Sequence, residues 1–89
     1  MITILARFKI QPGKEAEAEK VLREMAAAVE ANEPGALVYL FNRSQKDPSE
    51  ITVFEAYADG EAFAAHSQSP HMGQLRSNFG PLFDPASVK

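Results

Sequence analysis

The sequence predicts an α+β fold of the ferredoxin-like class, in which a four-stranded antiparallel sheet carries its helices on one face. Three observations lead to this prediction. Residues 2–10 carry an apolar residue at every second position, which is the period of a strand with one buried face, and two further short stretches are rich in apolar residues on both faces. Other stretches repeat apolar residues at helical spacing. The resulting order is β-α-β-β-α-β with a broken second helix, which is the order of a split βαβ fold.

The size and composition of the chain favour a single domain, residues 1–89, in the cytoplasm. A chain this short buries only somewhat over ~60% of its unfolded surface, so self-association would help to stabilise it. It contains no cysteine, which excludes disulfides and thiolate metal sites and suits a reducing compartment. We see no signal peptide and no apolar run of the ~20 residues that a membrane span needs. The net charge of −3 argues against a nucleic-acid partner.

The first strand is predicted at residues 2–10 and the first helix after it. Every second position of the strand is apolar and belongs to its buried face: Ile2, Ile4, Ala6, Phe8 and Ile10. Pro12-Gly13 ends the strand. The helix begins with acids that suit its dipole, and its apolar stripe consists of Ala18, Val21, Leu22, Met25 and Val29. Glu33-Pro34-Gly35 ends the helix, because the residue before a proline avoids the α conformation.

The second and third strands are predicted to form a hairpin. Residues 36–42 are apolar on both faces, so we expect this strand to be covered on both sides. The polar residues 44–50 form the turn. The third strand runs from Ile51 to Tyr57. Because helices cover only one face of such a sheet, we expect two copies of the chain to pair through the other face as a homodimer.

Two helices and an edge strand are predicted to complete the chain. Asp59 can cap the second helix by accepting from its free N–H groups. Ser69-Pro70 starts the third helix, with a capping hydroxyl and a proline at the first helical position. Gly80-Pro81 is expected to end it. A short fourth strand is then predicted within residues 82–88, and Pro85 restricts it to a sheet edge or to irregular pairing.

The strongest functional signal comes from Glu55, Tyr57 and His66. Glu55 and Tyr57 are two residues apart in a strand, so their side chains point to the same face. A carboxylate on an otherwise apolar face is costly unless it is hydrogen-bonded. Glu55 is therefore either a pocket acid that orients a histidine or a residue of a partly open strand that meets solvent or Arg7. The nearness of Tyr57 and His66 in the chain favours the pocket.

The histidines and tyrosines each allow two interpretations. His66 can be a general base with a tautomer fixed by a carboxylate, or a half-buried histidine bonded to the backbone. His71 stands at the start of the third helix, where it can have a catalytic role or can be an exposed residue at the helix end. The exposed residue is the simpler interpretation. Tyr39 and Tyr57 can donate to a substrate oxygen, or they can be core residues with a hydroxyl at the rim.

Several other chemistries lack their sequence signals. Two histidines five residues apart, without cysteine or an H-E-x-x-H motif, do not predict a zinc site. The glycine-rich motifs of nucleotide sites and the G-x-S-x-G elbow are absent. The third strand lacks the basic and aromatic signature of RNA-binding sheets of this class.

Four segments carry a resemblance to a known family: Pro12-Gly13-Lys14, Glu33-Pro34-Gly35-Ala36, Glu55-x-Tyr57, and Ala65-His66 followed by Ser69-Pro70-His71-Met72. They span nearly the whole chain. In these segments the chain resembles the antibiotic biosynthesis monooxygenase family of small dimeric α+β barrel proteins. The third and fourth segments are similar to both the quinol monooxygenases and the autoinducer-2 isomerase of that family.

The resemblance implies a cofactor-independent monooxygenase that oxidises a small quinol, phenol or enolisable aromatic substrate with dioxygen. The catalytic residues it implies are His66, Glu55 and Tyr57. The substrate-binding residues expected around them are Ala6, Phe8, Tyr39, Phe63, His71 and Met72. The haem-degrading branch differs at three places, where this chain has Ala6-Arg7, Tyr57 and Arg76. We therefore do not expect haem, and the cofactor-independent activity that the resemblance implies requires no other cofactor or metal.

Two alternatives stay open. The same residues could shuttle protons in an isomerase that resembles the enzyme of autoinducer-2 breakdown, without dioxygen. The chain could also be a non-catalytic dimer that binds a metabolite. Oxygen consumption during turnover separates the first alternative from the monooxygenase.

Overall fold

A computed structural model describes residues 1–88 of the chain, and Lys89, the last residue of the predicted domain, lies outside the described part. The elements are β1 (Ile2–Ile10), α1 (Glu15–Asn32), β2 (Ala36–Arg43), β3 (Glu50–Tyr57), α2 (Gly60–Ser67), α3 (Pro70–Leu82), β4 (Phe83–Asp84) and a 3₁₀ turn (Pro85–Ser87). Each element predicted from the periodicity is present. No helix among these residues is both long enough and apolar enough to cross a bilayer.

The strands form one antiparallel sheet in the order β2-β3-β1-β4. This arrangement, with helices on one face, confirms the predicted α+β, ferredoxin-like fold class. The register sets Glu55 of β3 between Ile4 of β1 and Tyr39 of β2. The same face of the sheet carries Phe8 and Val53, which pack with the buried stripe of α1 into one core. Glu55 therefore lies on the helix-covered face, at the polar end of that core.

The other face of the sheet is open in the single chain, so the helices cover β2 on one side and its cover on the other side by a second copy stays a prediction. Leu5, Phe54 and Leu40 form a row across three strands on this face. Leu40 and Leu5 are 58% and 55% exposed. A bulge between Ala36 and Val38 interrupts the register of β2, and Leu37 next to it is also exposed. All helices pack on the opposite side, so nothing within the described residues covers this face.

The connection from α1 to β2 is held close to α2. Glu33 follows the last residue of α1, and its N–H donates to the carbonyl of Val29 at 2.9 Å. A Cβ built on Gly35 would lie 2.5 Å from the Cβ of Ala62 in α2, which is closer than real Cβ atoms come. Glycine at position 35 therefore lets α2 approach the residues that follow α1. This close approach brings Glu33 next to α2.

The end of the chain differs from the prediction in two ways. The third helix does not end at Gly80-Pro81 but continues through Pro81 to Leu82. A proline here removes only one hydrogen bond of the last turn, and the N–H of Phe83 still bonds the carbonyl of Phe79. Burial of Leu82 and Phe83 in the core holds the turn in place.

The fourth strand is shorter than predicted, since only Phe83–Asp84 pair with β1. The Asp84 carboxylate accepts from the N–H of Ala86 at 3.0 Å and starts the 3₁₀ turn at Pro85. The Ser87 hydroxyl then accepts from the N–H of Lys9 at 2.8 Å. The Ser87 hydroxyl thus accepts the hydrogen bond from β1 that a backbone carbonyl would accept if β4 were longer.

Candidate active site

Glu55, Tyr57 and His66 lie together between the sheet and α2. The Tyr57 hydroxyl donates to Glu55 Oε1 at 2.5 Å, and His66 Nε2 lies 3.6 Å from the same oxygen. Tyr57 is fully buried and His66 is 2% exposed. The structure therefore brings together the three residues that the sequence predicts as catalytic.

His66 is positioned by its place in the last turn of α2. The carboxylate of Asp59 caps this helix by accepting from the N–H of Ala62 at 2.9 Å. The imidazole ring of His66 packs against the rings of Tyr57 and Tyr39, with centroids 5.1 and 5.6 Å away. These contacts fix the plane of the imidazole, so its two nitrogens have separate partners.

The second partner of His66 is Glu33, a residue that the sequence marks as part of a helix stop and of a family segment but not as a site residue. Both carboxylate oxygens of Glu33 lie 3.1 Å from His66 Nδ1, and because a carboxylate can only accept, the tautomer with its proton on Nδ1 fits this contact. The side chain of Glu33 is buried, and it also accepts from His71 Nε2. Glu33, more than Glu55, is thus the carboxylate that orients His66. No local signal in the sequence shows this, because the contact joins residues 33 positions apart.

His71 is set at the start of α3 by the Ser69 cap, whose hydroxyl accepts from the N–H of Met72 at 3.2 Å. Its ring lies next to that of His66, with centroids 6.4 Å apart, contacts Glu33 through Nε2 and lines two surface clefts. The structure therefore places His71 outside the internal cavity in which it was expected to bind substrate.

A cavity of about 210 Å³ lies between the helices and the sheet. Four residues predicted to bind substrate line it: Ala6, Phe8, Tyr39 and Met72. Glu55 and His66 form its polar part, and Arg76 lines it as well. Phe63, which was predicted to bind substrate, does not line the cavity, and neither does Tyr57. Their rings pack against each other at 5.4 Å, and Tyr57 is completely enclosed.

Burial and neighbouring acids keep both tyrosines protonated. Burial is the main cause that raises the pKa of Tyr57, and the hydrogen bond to Glu55 raises it further. Burial likewise raises the pKa of Tyr39, with smaller effects from the charges of Glu55 and Glu33. Both phenols therefore act as hydrogen-bond donors near neutral pH. Neither can serve as a base.

Comparison with known proteins supports the resemblance seen in the sequence. The model of the family described as antibiotic biosynthesis monooxygenase matches residues 1–77. No match was found among curated proteins. Many solved structures are similar.

One similar structure is a candidate antibiotic biosynthesis monooxygenase from Caulobacter crescentus CB15. It has 36% identity and a TM-score of 0.88, over 98% of this chain and 83% of that chain. Another candidate of the same description, from Bacteroides thetaiotaomicron VPI-5482, has 25% identity and a TM-score of 0.89, over 98% and 81%. A protein from Mycobacterium tuberculosis has 27% identity and a TM-score of 0.85, over 98% and 88%.

Proposed function

This chain belongs to the antibiotic biosynthesis monooxygenase family, and we propose that it is a monooxygenase that oxidises a small quinol or phenol with dioxygen and without an organic cofactor. The observation that carries the proposal is the position of His66, which lies between Glu33 and Glu55 at the wall of a largely apolar cavity. Similar structures described as candidate monooxygenases support the same activity.

The cavity selects for a small ring. Its volume of about 210 Å³ compares with the ~150 Å³ of an engineered apolar cavity that binds benzene. One aromatic ring with two hydroxyl groups fits this space better than a polycyclic substrate. Phe8 and Met72 would contact the ring faces, and the polar end formed by Tyr39, Glu55 and His66 would receive a hydroxyl group.

His66 is the base in this proposal. Glu33 accepts the proton on Nδ1 and so fixes the tautomer in which Nε2 is free to accept a proton. Nε2 lies on the side of Glu55, which lines the same cavity. A base held in this way typically contributes ~10²–10⁴ in rate. Removal of the hydroxyl proton makes the quinol an electron-rich anion.

The anion then reduces dioxygen directly. One electron passes to dioxygen, and the radical pair joins at a ring carbon to form a C–O bond and a hydroperoxide. Loss of the C–H proton from that carbon breaks the O–O bond, so one oxygen stays in the product and the other leaves as water. A quinol and one dioxygen thus give a hydroxyquinone and one water. Tyr39, whose phenol keeps its proton, would donate to the departing oxygen, and the apolar walls would keep bulk water away from the intermediates.

We also propose that the active form is a homodimer, located in the cytoplasm. The exposed row of Leu5, Phe54 and Leu40 is apolar surface that pairing of two sheets would bury. The lack of cysteine suits a reducing compartment.

Oxygen uptake with a panel of hydroquinones and naphthoquinols tests the proposed activity. We expect uptake that depends on the enzyme and is greatest for one-ring substrates. The variant His66→Ala should lose it, whereas Glu61→Gln, an exposed change in the same helix, should keep it. Turnover of a substrate without oxygen uptake would contradict the monooxygenase and favour the isomerase. Full turnover by His66→Ala would remove His66 as the base.

A further inference from the structure

Glu33, His66 and His71 direct three donor atoms at one another from three different elements. Glu33 follows α1, His66 lies in the last turn of α2 and His71 begins α3. One donor atom from each, a carboxylate oxygen and two imidazole nitrogens, lies within 4.8 Å of the other two. Glu33 and His66 are buried, and His71 is partly buried. This cluster faces away from the monooxygenase cavity, which contains His66 but neither Glu33 nor His71.

We propose that Glu33, His66 and His71 form a binding site for one divalent first-row transition metal ion of the zinc type. Two imidazole nitrogens and one carboxylate are a ligand set that such ions use, and three protein ligands leave a position for water. The spacing of the histidines did not predict this site because the third ligand comes from a distant part of the sequence. The proposal does not depend on the proposed monooxygenase activity.

The charge balance of the cluster favours a cation. The buried carboxylate of Glu33 has ion-pair contacts only with the two histidines within residues 1–88, and no lysine or arginine of that range reaches it. The two imidazole N–H groups partly compensate this buried carboxylate by hydrogen bonding, but neutral imidazoles supply no positive charge. A divalent ion would supply that charge at the point where both imidazoles already meet the carboxylate.

The surroundings of His66 are also those of a metal ligand. An imidazole that binds a metal through one nitrogen usually donates from its other nitrogen to a carboxylate. Glu55 Oε1 lies 3.6 Å from His66 Nε2, just beyond hydrogen-bond distance, so a small shift would let it take this role, and Glu55 is itself bonded by the Tyr57 hydroxyl. In this proposal, Glu55 is the carboxylate partner of the metal-bound His66.

A metal ion can reach the cluster from the surface. Glu33 and His71 line an open cleft with Asn32, Ser69 and Gln74. The side chain of His71 is 13% exposed, so it forms the outer edge of the cluster. The fourth coordination position would therefore point to the cleft and not to the apolar cavity.

Metal binding would reverse the tautomers of both histidines. Without metal, His66 Nδ1 and His71 Nε2 carry the protons that they donate to Glu33. A metal needs the lone pairs of these same two nitrogens, so each proton must move to the other ring nitrogen. In His66 that nitrogen is Nε2, which would then carry a proton directed at Glu55, so a metal-bound chain could not use Nε2 as the base of the proposed oxygenase.

The test uses the untagged full chain, stripped with a chelator and titrated with Zn²⁺ while ¹⁵N NMR follows the imidazoles. The chain has only two histidines, so every imidazole signal belongs to the cluster. We expect one Zn²⁺ per chain by calorimetry, tautomer reversal in both rings, and no comparable binding of Mg²⁺. Two or more weak sites, unchanged tautomers, or equal affinity for Mg²⁺ would overturn the proposal.

Matched variants assign the binding to these residues. Glu33→Gln and His71→Gln should each weaken Zn²⁺ binding by at least the ~10–100-fold that loss of an outer hydrogen-bond partner costs a metal site. Glu30→Gln makes the same chemical change on the exposed surface of α1 and should leave binding unchanged. His71 is at the edge of the fold, so its variant serves if Glu33→Gln fails to fold. Unchanged binding by a folded His71→Gln would refute the assignment. No substrate is involved, so failure here leaves the proposed oxygenase untouched.

Discussion

Replacing Gly35 by alanine should displace α2 and destabilise the protein, because position 35 has no room for a side chain. The new Cβ would lie 2.5 Å from the Cβ of Ala62, whereas packed carbon atoms stay about 3.5–4.0 Å apart. Gly35 has no positive φ, so the backbone itself accepts alanine. The clash is between side chain and helix, and α2 must move by roughly 1 Å to relieve it.

Overpacking of this kind costs about 1–3 kcal/mol. Alanine also restricts the unfolded chain more than glycine does, which offsets about 0.4–1 kcal/mol. We therefore expect a net loss of up to about 2.5 kcal/mol in the free energy of unfolding. In a domain of this size each 1 kcal/mol lowers Tm by about 4–8 °C. Urea unfolding at one fixed protein concentration measures the loss.

Two control variants test whether the loss of stability comes from the contact between position 35 and Ala62. Gly73 lies exposed in α3, and a Cβ added there would meet no atom within 4 Å, so Gly73→Ala should stabilise the helix by about 0.5–1 kcal/mol. Ala62→Gly removes the atom that Gly35→Ala strikes, so the double variant should recover part of the lost stability. If Gly35→Ala is as stable as the wild type, or if the double variant shows simple additivity, the close approach of α2 is not as described.

Three further predictions concern the site and the sheet. His66→Ala should lower kcat about 10²–10⁴-fold on an identified substrate, measured as oxygen uptake, while circular dichroism shows the fold intact. Both tyrosines, Tyr39 and Tyr57, have a pKa raised above the ordinary 10.0, so the native protein should show no tyrosinate absorbance at pH values about one unit above that ordinary pKa. Because the folded pKa is the higher one, the associated stability is full below the ordinary pKa of about 10 and falls as the pH rises above it; tyrosinate appearing before unfolding would refute this. Leu40→Glu puts a charge on the open sheet face and should shift the protein from dimer to monomer in analytical ultracentrifugation, whereas a monomeric wild type would contradict the dimer.

The strands and helices could be predicted from the sequence because their signals are local. The alternation of residues 2–10, the Asp59 cap and the Ser69-Pro70 start each act within a few residues, and the structure has each of them. The prediction that the third helix ends at Gly80-Pro81 is wrong, because a proline near the end of a helix breaks one hydrogen bond at most. The burial of Leu82 and Phe83 determines where the last turn ends.

The candidate site could be predicted only in part. Glu55 and Tyr57 were identifiable because a strand fixes which face they share. Glu33 was not, since its contact with His66 depends on how closely α2 packs against the end of α1. Phe63 shows in turn that nearness in the sequence does not predict which side chains share a site. Its distance along the chain from His66 is small, but its ring turns toward Tyr57 and away from the cavity.

The proposed role of His66 in oxygen chemistry is tested most directly by turnover under isotopically labelled dioxygen, followed by mass spectrometry of the product. We expect one labelled oxygen atom in each quinone formed, the second label in water, and formation of both products about 10²–10⁴-fold more slowly by His66→Ala. Product oxygen that comes only from unlabelled solvent, or product formed equally well without dioxygen, would contradict it.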